Sequence, residues 1–516
     1  ASDPGFAPVF SALSGTAPVR VYARVDLQGK TPLRISGRTN LAGLASALPA
    51  PFAKSASEVW PTSFSWAPRA SGQGLVVSSA GHLEAALYFD DRKEGYALTS
   101  GFVGVGTPMG KAGDRLDLSV NVPRFSWNEW EPFWREIDRN RKAHADGYNI
   151  PWGTLRVKLG ELLAHRMTFH GIDATLRHFG QNDWHLRLAS DEVSGQAEFL
   201  DAGAAPDKWT FKIDRAHLPE AAGDEIDTAL DTRPSPGTLP SIILTIDDLR
   251  VGERRIGKVE FISRNEIAPS GEGLAIIDRI AVTARGGSLL GQGVWRPESA
   301  TDEVGTSHLT LEANFSDLGR LLHDLRIRDV IRNAPGNVKL DLTFRGQPHM
   351  PQLNTLSGEV TAMLGSGQIL QVEPGSGRLL GLLSMQHLMR RLTLDFRDVI
   401  GKGFTFDSIA AGKLSRGVLS TEKVAVVGSP ATILLSGDVD LVGEKLDLEA
   451  LVLPKFNAEA PALALTLLNP AVGVGTFVAQ WFLKDEISNL MSSTYHVHGS
   501  FQDPVVDKMP RARTEK

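Results

Sequence analysis

No cysteine occurs among the 516 residues, which excludes disulfides, thiolate metal sites and cysteine nucleophiles. That absence suits an oxidising compartment, although reduced compartments also house cysteine-free proteins. Nor is there an excess of either charge. The 54 Lys and Arg stand against 60 Asp and Glu, for a net charge of −6, and no block of like charges interrupts the chain. The concentrated basic surface that nucleic acid demands is therefore not expected. With 42% hydrophobic and 22% charged residues, a mainly disordered chain is excluded too. The opening Ala1-Ser2-Asp3-Pro4-Gly5 has no basic or apolar region of the signal-peptide kind. Because the first forty residues already carry a β-rich pattern, the chain is expected to be a piece of something longer.

What is present is alternation with period two. Val19, Val21, Ala23, Val25 and Leu27 share one face, opposed by Arg20, Tyr22, Arg24 and Asp26. Leu116, Leu118, Val120 and Val122 repeat the pattern, as do Leu155, Val157 and Leu159. Further copies run over Leu309 to Phe315, Val338 to Phe344, Leu446 to Ala450 and Tyr495 to Phe501. Turn signals such as Gly286-Gly287 and Pro335-Gly336 separate many of them. No fixed short period marks a solenoid. The repeated unit is an antiparallel strand with one oily face.

Helical segments are few. Ser126 and Glu129 form a capping-box pattern opening a helix over about 126–145, with Trp127, Trp130, Trp134 and Ile137 on one side. Ser316 is placed to cap a second, over 316–334, carrying Leu318, Leu321, Leu322, Leu325, Val330 and Ile331. A third is expected over 378–391. These helices are too few to cover some two dozen strands. An apolar sheet face must nevertheless be buried against a second sheet, helices or a ligand. Either the sheet packs on itself, or its apolar lining is a groove covered by something outside the chain.

Chemistry-bearing motifs are weak. Gly252 to Lys258 matches the start of a phosphate-binding loop, but Val259 follows where Ser or Thr is needed, and the flanks read as a hairpin. Gly104-Val105-Gly106 and Gly375-Ser376-Gly377 are turn glycines. His496 and His498 share a strand face, and His165 lies near His170 in sequence, yet no carboxylate or third histidine stands at a supporting spacing. Asp247-Asp248 is assigned to a solvated strand end. No nucleophile elbow or zinc-protease helix occurs. Hence no catalytic residue, metal or cofactor is expected.

One segment stands apart. Ala460 to Leu483 is 24 residues without a formal charge. Pro461 and Pro470 divide it, and the unbroken run Ala471 to Leu483 reaches only about 20 Å as a helix, short of the roughly 30 Å hydrocarbon core. It reads as a helical pair, over about 460–490, that either closes an apolar core or dips into a membrane interface. In the second reading Leu463, Leu465, Val474, Phe477, Trp481 and Phe482 are the membrane-contact candidates.

From Ser316 to Val506 the chain resembles the C-terminal part of the YhdP family, within the AsmA-like envelope proteins that include TamB. The resemblance is carried by Val372 to Ser384 (VEPGSGRLLGLLS), Arg390 to Asp398 (RRLTLDFRD), Gly401 to Ile409 (GKGFTFDSI) and Tyr495 to Pro504 (YHVHGSFQDP). A weaker likeness covers Asp26 to Gly29, Leu48 to Pro51 and Lys54 to Pro61; between about 140 and 310 only the strand rhythm matches. The resemblance implies phospholipid transport between the inner and outer membranes of a Gram-negative envelope, with acyl chains in an apolar β-groove. It also implies a periplasmic location and an inner-membrane anchor outside this chain. The outer membrane would be met at the C-terminal end, with envelope proteins as further partners. No nucleic acid and no catalytic residue are implied.

The expected fold is thus mainly β: a long, twisted, largely antiparallel sheet bent into an apolar groove, with a few capping amphipathic helices. Groove segments are expected over 1–125 and 146–315, and an AsmA-like β region over 335–516. The lining candidates are Val21, Val25, Leu118, Val120, Leu155, Val157, Leu309, Leu311, Leu340 and Leu342. Two other readings compete with lipid transport. One is a non-enzymatic scaffold or assembly factor that adds partner strands at its sheet edges. The other is a hydrolase with a dispersed active site.

Overall fold

A computed structural model describes residues 7–25, 33–143, 150–200, 207–220, 240–369, 404–454 and 493–510, apart from positions 70, 80, 93–94, 166, 181–182, 269–270, 300–301, 303, 328–330, 429–430 and 502. The expected helices at 378–391 and 460–490 lie outside these residues, as do Leu463, Leu465, Val474, Phe477, Trp481 and Phe482. The class is mainly β, a long mixed sheet with few helices. The chain divides into two compact units, 1–230 and 231–516.

In the first unit the ladder follows chain order from Val19–Val25 to Lys208–Leu218. Leu13–Gly15 and Leu44–Ser46 stand aside as a two-stranded sheet. Pairing is antiparallel except around Leu116–Ser126, which runs parallel to both Gly95–Val105 and Trp152–Ala164. Parallel neighbours cannot be joined by a tight turn and need a crossover of a dozen or more residues. The helix Trp127–Ala143 lies within that crossover. It was expected to cap the sheet; its place in the chain shows that it also links a parallel pair.

Only part of its aromatic stripe is covered. Trp130 packs on Phe125 and Phe52 at 6.1 Å between ring centres and donates its indole N–H to the Ala50 carbonyl at 2.8 Å. Ile137 is buried, whereas Trp127 and Trp134 are exposed. At 100° per residue, Trp130 and Ile137 lie about 20° apart on the helix, with Trp127 and Trp134 to one side. Phe125 of the sheet and the loop residues Ala50 and Phe52 meet the stripe at Trp130.

In the second unit each strand from Ser241–Val251 to Pro504–Lys508 pairs antiparallel with the next. The short Ile331–Asn333 is the exception, joining Ser357–Ile369 beside Gly336–Arg345. Tight turns hold the hairpins. Arg416 and Gly417 both take positive φ, +49° and +81°, as a two-residue turn matched to strand twist requires. The Gly252 turn likewise joins two strands, Ser241–Val251 and Arg254–Ile267, with no phosphate loop.

Two local expectations are corrected. The helix expected over 316–334 spans only Leu318–Asp324. Asp317, not Ser316, is its N-cap, accepting the Arg320 N–H at 2.9 Å, and Ile331 enters a strand. Asp247 and Asp248 do not end a strand. They sit inside Ser241–Val251, where the register shifts between Ile246 and Leu249, so a bulge presents them to solvent.

Candidate functional site

Register converts the alternation of single strands into rows that cross whole sheets. In the first unit one row runs through all twelve strands of the ladder: Val21, Gly37, Phe64, Val77, Ala85, Val103, Leu118, Leu155, Leu176, Leu186, Ala197 and Phe211. None is polar. One residue along each strand lies Arg20, Arg38, Ser63, Ser78, Glu84, Gly104, Ser119, Arg156, Thr175, Arg187, Gln196 and Lys212. None of these is hydrophobic. Successive side chains on a strand point to opposite faces, so the oily row and the polar row lie on opposite faces of the sheet; the reverse face also carries Val76, Ala86 and Phe102, the last two buried.

The second unit repeats the arrangement. Ile242, Ser263, Ile277, Gly293, Leu309, Leu342, Gly358, Leu414, Leu419, Val439, Leu446, Gly499 and Pro504 form a row across thirteen strands. Ser263 is its single polar member, and it is buried. A parallel row runs from Leu244 through Phe261, Ile280, Gly291, Leu311, Leu340 and Val360. On the reverse face Thr310, Asp341, Glu359, Lys413, Ser420, Asp438 and Asp447 pair in turn.

The lining candidates fall on these faces. Val21, Leu118 and Leu155 share the twelve-strand row, while Val120 pairs with Val157 in the next. Leu309 pairs with Leu342, and Leu311 with Leu340. Leu309 is buried; Leu118, Val120, Leu155, Val157, Leu311, Leu340 and Leu342 are half-buried. Val21 and Val25 are 56% and 57% exposed on the first strand of the ladder.

Parts of each face close on themselves. In the first unit Val105, Val122, Leu159 and Ile172 form a buried cluster, with Val120 and Val157 packed against it. In the second, Ile277, Leu309, Phe344, Leu356 and Leu414 form another, flanked by Leu311 and Leu342. Near the C-terminus a larger core gathers Val426, Ile433, Leu435, Ala450 and Val497, and helix residues Leu318 and Leu322 pack on it. Self-packing in clusters thus covers part of each oily face, with half-buried apolar residues at the cluster margins.

One margin of the second sheet is sealed by polar contacts. Trp295, Ser307 and Phe344 are nearly inaccessible. The Trp295 indole donates to the Val304 carbonyl at 3.0 Å and the Ser307 hydroxyl to the Gly346 carbonyl at 2.7 Å. Arg345 grips both oxygens of Asp302 at 2.8 and 2.9 Å. That fork, helped by the Glu298 and Gly305 N–H groups, holds the Asp302 carboxyl well below the usual carboxylate range.

The histidines separate. His165 occupies a turn with φ +55°, while His170 contacts the Glu192 carboxylate at 2.7 Å, which raises its pKa. His496 and His498 remain neighbours, 4.7 Å between ring centres. Each meets a carboxylate that spacing alone did not suggest, Asp447 at 2.7 Å and Asp507 at 2.9 Å. Only the register of Lys445–Pro454 against Ser493–Ser500 brings Asp447 there. Among the described residues no group of three or more His, Asp or Glu is arranged to hold a metal ion, and no helix is long and apolar enough to cross a membrane.

Comparison with known proteins decides the family. The chain matches the YhdP protein family over residues 4–506. It belongs to the YhdP family. A 189-residue stretch is 39% identical to the Intermembrane phospholipid transporter YhdP of Escherichia coli (strain K12), covering 36% of this chain and 15% of that relative. The chain therefore aligns with a minor part of the relative's length. No solved structure matches it.

Proposed function

We propose that this YhdP-family chain carries phospholipid between the membranes of a Gram-negative envelope, its apolar sheet faces holding acyl chains while headgroups stay in water. The observation that carries the reading is the row of twelve non-polar residues crossing the first unit without interruption, backed by a row without a hydrophobic side chain. A protein that only packed its oily face into a core would need enough helices or a second sheet to cover it. Among the described residues the α-helices are Ala7–Ser11, Trp127–Ala143 and Leu318–Asp324, against more than two dozen strands. An acyl chain laid on such rows keeps hydrocarbon from water at about 25 cal/mol per Å². It needs no directional contacts, so one surface serves many lipids and permits sliding.

Under this reading the protein is not an enzyme and uses no cofactor. It works in the periplasm, joined to the inner membrane through a segment outside this chain and meeting the outer membrane through the uncharged stretch at 460–483. The name of the E. coli relative supports phospholipid as cargo. The test is lipid content: the protein, purified without detergent and washed, is extracted and its phospholipid quantified per mole. Stoichiometric phospholipid supports the reading. Lipid-free protein that copurifies with an outer-membrane protein would favour the scaffold reading instead.

A further inference from the structure

A basic surface is hidden in a chain whose charges nearly cancel. Val19–Val25 and Leu33–Thr39 pair so that Arg20 faces Arg38 and Arg24 faces Arg34. Like charges directly opposite each other in an antiparallel pair destabilise it, and this hairpin holds two such pairs. All four arginines are exposed, on the face opposite Val21 and Val25. Among the described residues none of the four guanidinium groups has a hydrogen-bond or ion-pair partner. The next strand offers Ser63 to Arg38 and Ser65 to Ser36. In the Arg20–Arg38 row the nearest carboxylate is Glu84, three strands beyond Arg38 and bonded to Ser78, so roughly 14 Å of sheet separates them.

We infer that this four-arginine hairpin face is a docking surface for the phosphate groups of an anionic phospholipid headgroup layer. Paired guanidinium forks a strand apart suit phosphate oxygens, which Arg binds bidentately. Arg20 and Arg24 lie about 13 Å apart along their strand, so the two opposed pairs address separate headgroups. The reverse side of the same hairpin carries Val19, Val21 and Val25, 49% to 57% exposed. Exposed apolar residues on one side, and on the other cations without an ion-pair partner among the described residues, match the hydrocarbon and phosphate that a phospholipid layer offers. An acidic polypeptide would meet the arginines but leave the valines unexplained. The choice of lipid over free phosphate rests on the lipid-carrying reading above; the electrostatic pattern does not.

The experiment uses the whole 516-residue chain and a variant with Arg20, Arg24, Arg34 and Arg38 all changed to Gln. Flotation is measured with phosphatidylcholine vesicles with and without phosphatidylglycerol, at several salt concentrations. The expected result is phosphatidylglycerol-dependent, salt-sensitive flotation that weakens roughly five-fold per arginine removed, several-hundred-fold for all four. The variant's melting temperature should match or exceed the parent's, because opposed like charges are gone. That combination separates a functional surface from a structural one. Equal flotation of variant and parent would overturn the inference. So would displacement of the parent by inorganic phosphate at matched ionic strength, which would assign the face to free phosphate. Binding to polyglutamate without binding to the anionic vesicles would assign it to an acidic protein. Phospholipid content per mole is measured on both proteins. Unchanged content with lost flotation supports the inference, whereas lipid-free parent protein would sink the carrying reading and leave the flotation result standing by itself.

Discussion

Leu342 and Thr343 are adjacent residues with opposite fates, and substituting each with Asp isolates the role of the apolar face. Leu342 lies between Leu309 and Gly358 in the thirteen-strand row, half-buried. Thr343 lies between His308 and Ser357 on the reverse face, exposed. Removing a half-buried leucine forfeits about half of the 1.5–3 kcal/mol that full burial provides, so Leu342→Asp should cost the fold about 1 kcal/mol. The effect on lipid should be larger. A carboxylate at this position keeps its water and lifts an acyl chain from the neighbouring contacts. Losing two or three methylenes of contact costs about 2 kcal/mol at 0.8 kcal/mol each, roughly a thirtyfold drop in occupancy. Thr343→Asp should change both quantities by less than about 0.5 kcal/mol, as surface substitutions do. The assay is bound phospholipid per mole after detergent-free purification, with denaturant unfolding as the control for stability. Equal lipid content in the two variants would refute the reasoning, because the face, not the position along the chain, is what separates them.

Four further outcomes are expected. Asp302→Asn should lower stability by about 2 kcal/mol through loss of the Arg345 fork. Because the native carboxyl titrates below its unfolded value, its contribution is complete above about pH 4 and fades as pH falls through the folded value, so parent and variant unfolding curves should converge in acid. Lys54 is buried, its ammonium donating to the Leu41, Leu44 and Ser55 carbonyls at 2.8 to 3.0 Å. Lys54→Met should orphan those carbonyls, cost about 3 kcal/mol and speed proteolysis between 41 and 58. His170, raised by Glu192, stabilises the fold below its unfolded pKa of about 6.5 and loses that contribution as pH rises through its folded value; Glu192→Gln should lower the His170 titration midpoint measured by NMR. Finally, Leu463→Glu or Phe477→Asp should reduce flotation with vesicles while circular dichroism of the sheet is unchanged.

Strand faces were legible because alternation is local. Leu116, Leu118, Val120 and Val122 announce an oily face whatever they pair with, and the same holds for Leu309 to Phe315. Pairing is where legibility stopped. The parallel setting of Leu116–Ser126 against Trp152–Ala164 depends on the crossover containing the helix Trp127–Ala143, and that against Gly95–Val105 on the connection 106–115; period-two patterns carry no sign of strand direction. The 316–334 helix was overextended because Val330 and Ile331 continue an apolar spacing; Ile331 meets Ile369 in a strand instead. The four-arginine face was half visible, since Arg20 and Arg24 oppose the valines in one strand. That Arg34 and Arg38 stand directly across from them is a fact of register. Asp447 beside His496 is likewise a contact across 49 residues of sequence.

The central claim is that acyl chains lie on the apolar face, and position-resolved photo-crosslinking in intact cells tests it most directly. A photoreactive residue replaces either Leu342 or Thr343 in the protein expressed in those cells, and adducts are identified by mass spectrometry. Phospholipid adducts at Leu342 and none at Thr343 are predicted. Adducts at neither, or equally at both, would contradict a lipid-bearing face.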